Sequence, residues 1–308
     1  MNLCLAGEGA IAQKHLDALA RLDADVVAIA GGDGRATAEV ADRHGIPHRS
    51  LDLDECLALP EVEAVLLATP TPLHAEQAER SLRAGKHVLV EIPMADSLEG
   101  ARRIARVRAE TGLCGMACHT RRFNSGHRWL HERFAAGELT LRHLVVETFF
   151  FRRENVNALG VPRSWSDDLL WHHACHTVDL FAYQLGEPVT AATALAGPRS
   201  ESLGIVVDLS IGLAAPSGAL CTLAISFNNK GPIGTWFRYI CDEGTFVAYY
   251  DELRDGDGHR LEVGRADGIE MQDAEFIAAV REGRAPNASF EDCLPAMETL
   301  ARLEALLR

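Results

Sequence analysis

The first 120 residues alternate short apolar runs with helical patterns, and this alternation constrains the fold more than any other feature of the chain. Strands are predicted at Asn2–Ala6, Val26–Ala30, Ala64–Ala68, His87–Val90 and Leu113–Cys118. Gly45, Gly85 and Gly112 each follow a helical run, as residues with positive φ do at helix ends, and Ser97 can cap the helix before Gly112. The pattern predicts a parallel, doubly wound sheet of the α/β class.

The periodicity changes from about Leu144 onward. Apolar residues occupy every second position from Ile205 to Leu213 and again from Leu223 to Phe227, with turn residues between the runs. Such alternation predicts an antiparallel sheet with one buried face. We therefore expect two domains, residues 1–120 and residues 121–308. The second also contains helical patterns, at Leu169–Leu185, Gln272–Glu282 and Phe290–Leu307.

Composition excludes several classes of protein. The net charge of −14 has the wrong sign for nucleic-acid binding, and no run approaches the roughly 20 apolar residues that span a bilayer. The N-terminus has no basic leader or cleavage-type site, which predicts a cytoplasmic protein. The eight cysteines include no C-x-x-C pair, so we expect reduced thiols and no zinc ribbon.

A G-x-G-x-x-A motif follows the first predicted strand and opens a helix. Its residues Gly7, Gly9, Ala10 and Ile11 are predicted to bind a dinucleotide, with Gly7 making the turn and Gly9 admitting the pyrophosphate. The free N–H groups at the helix N-terminus would meet the phosphate charge. Residues 1–120 are therefore predicted to form a Rossmann domain.

The end of the second strand bears on the choice of cofactor. An Asp or Glu there would bind the ribose 2′-hydroxyl of NAD, but this chain has Gly31 and Gly32. We expect the missing side chain to leave room for a 2′-phosphate, with Arg35 as its partner, and so we predict NADP. Asp33 is the evidence for the alternative, NAD, because a carboxylate turned inward would repel the phosphate.

Two further segments and an H-x-x-D motif, His176 with Asp179, resemble the Gfo/Idh/MocA oxidoreductases along essentially the whole chain. The segments are Ala68–His74 and Ala84–Pro93. The resemblance implies a Rossmann domain, a C-terminal α/β domain with a large, mainly antiparallel open sheet used for dimerisation, and hydride exchange with a nicotinamide cofactor. It also implies a fixed turn at Pro93, with a cis peptide as a family-level expectation. It adds these residues to the expected cofactor site: Thr69, Pro70, Thr71, His74, Glu91 and Ile92.

Most of that family has a lysine where this chain has Ile92. Five segments resemble one branch of the family, which also has isoleucine there and acts in bacterial protocatechuate 4,5-cleavage: His119–Asn124, Phe149–Ala158, Pro162–Trp165, Leu170–Asp179 and Ser226–Asn229. This resemblance implies NADP-dependent oxidation of a cyclic hemiacetal with two carboxylates to a pyrone dicarboxylate. It also implies substrate contacts from His119 and Asn124.

Such a substrate requires cations for its carboxylates and one base near neutrality. Arg122 and Arg163 are the first candidates for the carboxylates, followed by Arg121 and Arg152, because guanidinium groups bind carboxylates in a bidentate way. For any single arginine a solvated surface position is the alternative.

His172 and His176 are four residues apart in a helical pattern and share a face, while His173 lies about 100° around the helix. We predict His176 as the general base, with His172 or His173 relaying the proton or binding substrate oxygens. Glu91 could position a ribose or substrate hydroxyl. Ordinary packing is the alternative for the histidines, and zinc is disfavoured because the motif lacks the metalloprotease glutamate.

Two other functions fit parts of the pattern. A dehydrogenase of the same family could act on a sugar, an inositol or an imine, although clustered arginines favour a compact dianion. A nucleotide-sensing protein without catalysis would explain the missing lysine but not the three histidines.

Overall fold

The computed structural model describes residues 1–156, 160, 162, 163, 165, 168–264 and 267–308, so parts of the segments Phe149–Ala158 and Pro162–Trp165 lie outside the described residues. The chain forms two compact units. The first contains Met1–Cys118 and Ile269–Leu294, and the second contains His119–Gly268 and Pro295–Arg308. The return of Ile269–Leu294 to the first unit differs from the predicted single domain 121–308, and one reason is a buried contact between Asp273 and His15.

The first unit contains a six-stranded parallel sheet, as the alternation predicts. Its strands are β1 (Asn2–Ala6), β2 (Asp25–Ala30), β3 (His48–Ser50), β4 (Ala64–Leu67), β5 (His87–Val90) and β6 (Gly115–Ala117). The order β3-β2-β1-β4-β5-β6 reverses direction beside β1, which is the doubly wound arrangement. The sequence did not indicate β3, which is only three residues long and carries little apolar signal.

Helices connect these strands, and their ends follow the sequence signals. They are α1 (Ala10–Leu19), α2 (Gly34–His44), α3 (Leu53–Leu57), α4 (His74–Arg83) and α5 (Leu98–Thr111). A further helix near the C-terminus, α8 (Gly268–Glu282), connects no strands of this sheet but belongs to this unit from Ile269 onward. Gly45, Gly85 and Gly112 have φ values of 66°, 79° and 68°, and the Ser97 side chain accepts a hydrogen bond from the N–H of Gly100, so the predicted helix ends are confirmed.

The second unit contains a seven-stranded mixed sheet. Its strands are β7 (Leu141–Phe149), β8 (Ala191–Ala196), β9 (Asp208–Ala214), β10 (Leu220–Ser226), β11 (Gly234–Cys241), β12 (Thr245–Tyr249) and β13 (Glu252–Asp255). The order is β13-β12-β11-β7-β10-β9-β8. Within the described part of the chain, β7 and β10 are the only neighbouring strands of this sheet that run parallel, so the expectation of a mainly antiparallel sheet is confirmed.

One face of this sheet is buried, and the sequence alternation identifies it. Leu209, Ile211, Leu213, Leu223 and Ile225 are each at most 5% exposed, whereas their sequence neighbours on the other face are half-buried or exposed. The unit also contains α6 (Ser125–Ala135), α7 (Cys175–Leu185) and most of α9 (Phe290–Leu306). None of the described helices has the length and apolar character needed to cross a lipid bilayer.

A π-helical turn, Leu169–Ala174, leads directly into α7 and contains His172 and His173. The carboxylate of Asp168 caps this turn by accepting hydrogen bonds from the N–H groups of Leu170 and Trp171, each at 2.8 Å. The predicted helical stretch Leu169–Leu185 is confirmed in extent, but the wider turn at its start was not predicted. π-Turns are rare and occur often at functional sites.

Candidate active site

The turn between β1 and α1 has the geometry that a dinucleotide site requires. Gly7 has φ +107°, and a Cβ there would lie 2.4 Å from the carbonyl oxygen of Ala68, so only glycine fits. Gly9 precedes α1 with no side-chain cap, and a Cβ there would meet nothing within 4 Å. Space is therefore open beside Gly9, where α1 begins with Ala10 and Ile11.

The loop after β2 differs from the expectation of open space at Gly31. A Cβ on Gly31 would lie 1.8 Å from the hydroxyl of Thr37, so glycine is needed for the close approach of that side chain. The Thr37 hydroxyl donates to the carbonyl of Asp33 at 2.6 Å. The Thr37 side chain therefore occupies the place that a side chain at position 31 would need.

Arg35 and Asp33, the side chains expected to decide between NADP and NAD, both have partners within the protein. Arg35 is exposed, and its guanidinium binds Glu39 at 2.8 Å, because the two residues are four apart on α2. Asp33 does not turn toward a ribose; its carboxylate caps α2 by accepting from the N–H of Ala36 at 2.8 Å. The N–H groups of Gly32 and Asp33 instead donate to Glu8.

His74 connects two loops of the first unit. Its Nδ1 lies 2.8 Å from the carbonyl oxygen of Pro93 and its Nε2 lies 2.8 Å from that of Thr69, and the ring is buried. Burial lowers its pKa, so the neutral ring donates to one carbonyl at a time. His74 therefore holds the loop and is not itself turned toward a cofactor, while Thr69 hydrogen-bonds Gln77 through its hydroxyl.

Thr71 is buried at the start of the short turn after Pro70. Pro70 and Thr71 therefore belong to the loop that the His74 side chain holds through its contact with Thr69. Ile92 is 3% exposed, and its peptide bond to Pro93 is cis. The family's lysine position is therefore an apolar, inward-facing position in this chain.

Glu91 belongs to a buried charged group that the sequence did not reveal. Its carboxylate lies 2.9 Å from Nε2 of His15, and Nδ1 of His15 lies 2.8 Å from Asp273. Burial alone would lower the pKa of His15, but the charge of Asp273 and the hydrogen bonds outweigh it and raise that pKa well above the usual range. The histidine is therefore an imidazolium, and it fixes Glu91 at the end of β5. Nothing in sequence connects positions 15, 91 and 273.

The second unit brings the three predicted catalytic histidines together. The ring centroids of His172 and His173 are 5.1 Å apart, and His173 packs edge-on against Phe227 at 5.1 Å. Phe150 lies 5.9 Å from His173, and Trp165 lies 5.6 Å from His172. The π-turn changes the angle between successive side chains, so His173 joins the cluster although a regular helix would place it about 100° away.

The pKa of His176 is strongly lowered by its surroundings. Burial is the main cause, and the positive charge of Arg121 and the nearby rings of His119, His172 and His173 add to it, so the pKa lies well below its usual range. The Nδ1 atom of His176 is buried without a hydrogen-bond partner among the described residues. At neutral pH this side chain is an uncharged imidazole.

Arg122, the first candidate for a substrate carboxylate, is already bound to an internal one. Its Nε and Nη2 atoms lie 2.8 and 2.5 Å from the two oxygens of Asp179, and both side chains are almost fully buried. The guanidinium also stacks on Tyr183, and Nδ1 of His119 lies 3.3 Å from Asp179. This is a correction: Arg122 and His119 are anchored by Asp179, because a buried carboxylate requires cationic or donor partners.

Arg121 has the environment expected of an anion site. Its guanidinium packs over the rings of Phe237 and Tyr250, and Nη1 donates to Asn124 at 3.3 Å. Asn124 in turn donates to Asp251 at 2.9 Å, so it orients the arginine. Among the described residues no carboxylate lies within ion-pair distance of Arg121. Burial lowers its pKa more than Tyr250 and the charge of Asp251 raise it.

Arg152 and Arg163 lie on aromatic rings of the same unit. The guanidinium of Arg152 lies 4.4 Å from the centroid of Phe227, on whose ring His173 also packs, and Arg163 lies 5.2 Å from Trp165. Arg153 donates to the carbonyl oxygens of Arg152 and Phe227. Phe227 and Phe150 were not among the predicted site residues, although both lie in segments that carry the resemblance, Phe149–Ala158 and Ser226–Asn229.

Comparisons with known proteins agree with this architecture. Residues 1–119 match the model described as "Oxidoreductase family, NAD-binding Rossmann fold", and residues 125–267 match "Bacterial oxidoreductases, C-terminal". The 4-carboxy-2-hydroxymuconate-6-semialdehyde dehydrogenase of Sphingobium sp. strain SYK-6 is 51% identical over 312 residues, covering 100% of this chain and 99% of that protein.

Solved structures show the same fold at low identity. A UDP-N-acetylglucosamine 3-dehydrogenase from Acidithiobacillus ferrooxidans has a TM-score of 0.85 and 20% identity, covering 100% of this chain and 97% of that one. An oxidoreductase from Agrobacterium radiobacter in complex with NAD+, L-tartaric acid and magnesium has a TM-score of 0.87 and 16% identity, covering 99% and 96%. The two family models and the relative of 51% identity show that the chain belongs to the Gfo/Idh/MocA oxidoreductase family.

Proposed function

We propose that this protein oxidises the cyclic hemiacetal of 4-carboxy-2-hydroxymuconate-6-semialdehyde to 2-pyrone-4,6-dicarboxylate, with NADP as the cofactor. The observation that carries the proposal is Arg121, a cation without a carboxylate partner among the described residues, which acts electrostatically on a neutral His176. The identity of 51% to a dehydrogenase named for this semialdehyde supports the choice of substrate.

The chemistry requires a base and a hydride acceptor. The hemiacetal loses a hydride from its ring C–H and a proton from the hydroxyl on the same carbon. That carbon and that oxygen then form the carbonyl group of the product. When bound to the first unit, the nicotinamide supplies the acceptor for the hydride. The hydroxyl proton passes to His176, which is uncharged at neutral pH and so able to accept it.

Binding of a dianion improves this base. The charge of Arg121 opposes protonation of His176 in the free enzyme. A carboxylate bound to Arg121 would neutralise that charge, so the imidazolium that forms during the reaction costs less free energy. In this way the substrate itself adjusts the pKa of the base that acts on it.

Arg152 and Arg163 are proposed to bind the second carboxylate and the ring oxygens. Their stacking on Phe227 and Trp165 holds the guanidinium planes in place while their N–H edges can reach a ligand. His172 and His173 are proposed to carry the proton onward or to bind the hemiacetal oxygens. Arg122 and His119 act indirectly, through Asp179, as supports for this part of the unit.

NADP is proposed over NAD because β2 ends without an acidic side chain and Arg35 follows within five residues. Arg35 would have to leave Glu39 to bind a 2′-phosphate; the pair is exposed, so this exchange costs little. NAD is the alternative, and the carboxylate of Glu8 at the loop favours it.

We also propose that the protein is a homodimer through the outer face of the seven-stranded sheet. Three large apolar side chains of that face are exposed: Leu195 (76%), Leu220 (47%) and Ile240 (36%). Covering them would remove apolar surface from water. No role in nucleic-acid or membrane binding is proposed.

The test is reduction of NADP by the purified protein with semialdehyde generated enzymatically from protocatechuate, followed by NADPH absorbance. We expect turnover with the semialdehyde and none with myo-inositol under the same conditions. Turnover on the polyol alone would overturn the proposed substrate. Cofactor binding without turnover on either compound would favour a nucleotide-sensing function.

A further inference from the structure

Glu8 lies between the two glycines of the nucleotide-binding turn and reaches the loop after β2. Its carboxylate accepts hydrogen bonds from the N–H of Gly32 at 3.1 Å to both oxygens and from the N–H of Asp33 at 3.0 Å. Two adjacent backbone N–H groups that point at one anion form a small anion-binding concavity. Here an internal carboxylate is the anion.

The surrounding residues hold this concavity in place. The Asp33 side chain caps α2 through the N–H of Ala36, and the Thr37 hydroxyl binds the Asp33 carbonyl. Glycine at position 31 permits the close approach of Thr37. These contacts hold the loop, and Glu8, which is half-buried, reaches it from the neighbouring turn.

The position of this concavity defines what it would contact. In doubly wound folds the loop after the second strand binds the ribose at the adenosine end of a dinucleotide, where NAD has a hydroxyl and NADP a phosphate. A carboxylate can accept a hydrogen bond from the hydroxyl, but it repels the phosphate and occupies the N–H groups that the phosphate would need.

We propose that Glu8 is a specificity-determining residue, which favours NAD and which a 2′-phosphate must displace from Gly32 and Asp33 for NADP to bind. This inference rests on the cofactor use proposed above. It predicts that the choice between the two cofactors is a competition for two backbone N–H groups. Arg35 assists the phosphate only after it has left Glu39.

Binding of half-cofactor probes isolates the adenosine end and requires no turnover. We would measure dissociation constants of AMP and of adenosine 2′,5′-bisphosphate by calorimetry for the wild type and for Glu8→Gln. In water, the repulsion between two unit charges about 4 Å apart is about 1 kcal/mol, which is roughly a fivefold change in a dissociation constant. We therefore expect the ratio of the two dissociation constants to shift at least about fivefold toward the bisphosphate, with the same direction for NADP over NAD.

Two control variants make the result specific. Glu99→Gln removes an exposed charge from the first turn of α5 and should leave the ratio unchanged. Glu39→Gln releases Arg35 but leaves Glu8 in place, and should give a smaller shift than Glu8→Gln. Urea unfolding would confirm that each variant is folded.

Three outcomes contradict the proposal. An unchanged ratio in folded Glu8→Gln, with both cofactors still bound, overturns the role of Glu8 but leaves the proposed function intact. If the ratio of dissociation constants shifts in Glu39→Gln but not in Glu8→Gln, Arg35 and not Glu8 determines the choice of cofactor. If the wild type binds neither NAD nor NADP, the proposed cofactor use fails, and the role of Glu8 fails with it.

Discussion

Arg121 and Arg122 are adjacent in sequence, yet their environments are opposite. Arg122 binds Asp179 through two hydrogen bonds, whereas Arg121 packs on aromatic rings and has no carboxylate within ion-pair distance among the described residues. A dipeptide of two arginines carries no information about which side chain meets the internal carboxylate. The short helical turn Thr120–Arg122 decides it by directing successive side chains to different sides.

We expect different consequences when each arginine is replaced by alanine. Arg122→Ala leaves Asp179 buried without its main partner and should lower the free energy of unfolding by about 3–5 kcal/mol. Arg121→Ala should leave stability nearly unchanged but weaken substrate binding by about 1.5–3 kcal/mol, or roughly tenfold to a hundredfold in KM. Urea unfolding and steady-state kinetics separate the two effects.

Arg142→Ala is the matched control because it breaks an exposed ion pair with Asp242 in the same unit. It should change neither the free energy of unfolding nor KM measurably. A stable Arg122→Ala variant with a raised KM would return the substrate contact to Arg122 and contradict this assignment.

The pH dependence of turnover tests the role of His176. Burial, Arg121 and neighbouring histidines lower its pKa well below the usual range, so the imidazole is uncharged at every pH above that lowered value. We therefore expect that protonation of His176 does not lower kcat/KM between about pH 8 and pH 6. The decline of kcat on the acid side should occur at a higher pH than that of kcat/KM, because the bound dianion raises the pKa.

His176→Ala should abolish turnover and leave NADP binding nearly intact, whereas His259→Ala, which removes an exposed imidazole, should alter neither. Near wild-type turnover in His176→Ala would exclude this residue as the base. An acid limb at the same pH in both profiles would contradict the proposed effect of the substrate on its pKa.

At the scale of elements, the β1–α1 turn was predictable and the turn before α7 was not. The glycine spacing of the first turn follows from local geometry, since a positive φ and a close backbone approach each exclude a side chain at Gly7. The π-turn Leu169–Ala174 has no comparable local signal, because a stretch of 6 residues is too short for hydrophobic periodicity to distinguish α from π geometry. That turn nevertheless brings His173 beside His172.

The two glycines of the β1–α1 turn should respond differently to alanine. Gly7→Ala introduces a Cβ 2.4 Å from the carbonyl oxygen of Ala68 at φ +107° and should cost at least about 2 kcal/mol of stability. Gly9→Ala meets no atom and has φ −75°, so it should cost less than about 1 kcal/mol.

Gly9→Ala should nevertheless raise the dissociation constant of NAD(P) at least about tenfold, because the methyl group occupies the space through which the pyrophosphate approaches the helix. Urea unfolding and a fluorescence titration measure the two properties. Unchanged affinity in Gly9→Ala would place the pyrophosphate away from this turn.

At the scale of the whole molecule, the outer face of the seven-stranded sheet gives the proposed dimer a direct test. The wild type, with a chain mass of 33.5 kDa, should sediment as a dimer. Ala224 lies on β10 between Ser210 and Glu147 of the neighbouring strands, and Ala224→Arg should yield a monomer by placing an unpaired charge in the interface. Ala136→Arg, on the exposed end of α6, should remain dimeric.

A monomeric wild type, or a variant Ala224→Arg that remains dimeric, would contradict the proposal that this face is the interface. Either outcome is independent of the cofactor and of the substrate, because sedimentation requires neither.

The sequence by itself determined the class of fold, the β/α alternation of the first unit, the nucleotide-binding turn and the buried face of the second sheet. These depend on periodicity and on glycine positions, which are local properties of the chain. Only the tertiary structure decided which charged groups meet: Glu8 with the loop after β2, His15 with Asp273 and Glu91, and Arg122 with Asp179. These partners are 24 to 258 residues apart, and pairing over such separations follows from packing, which no local pattern encodes.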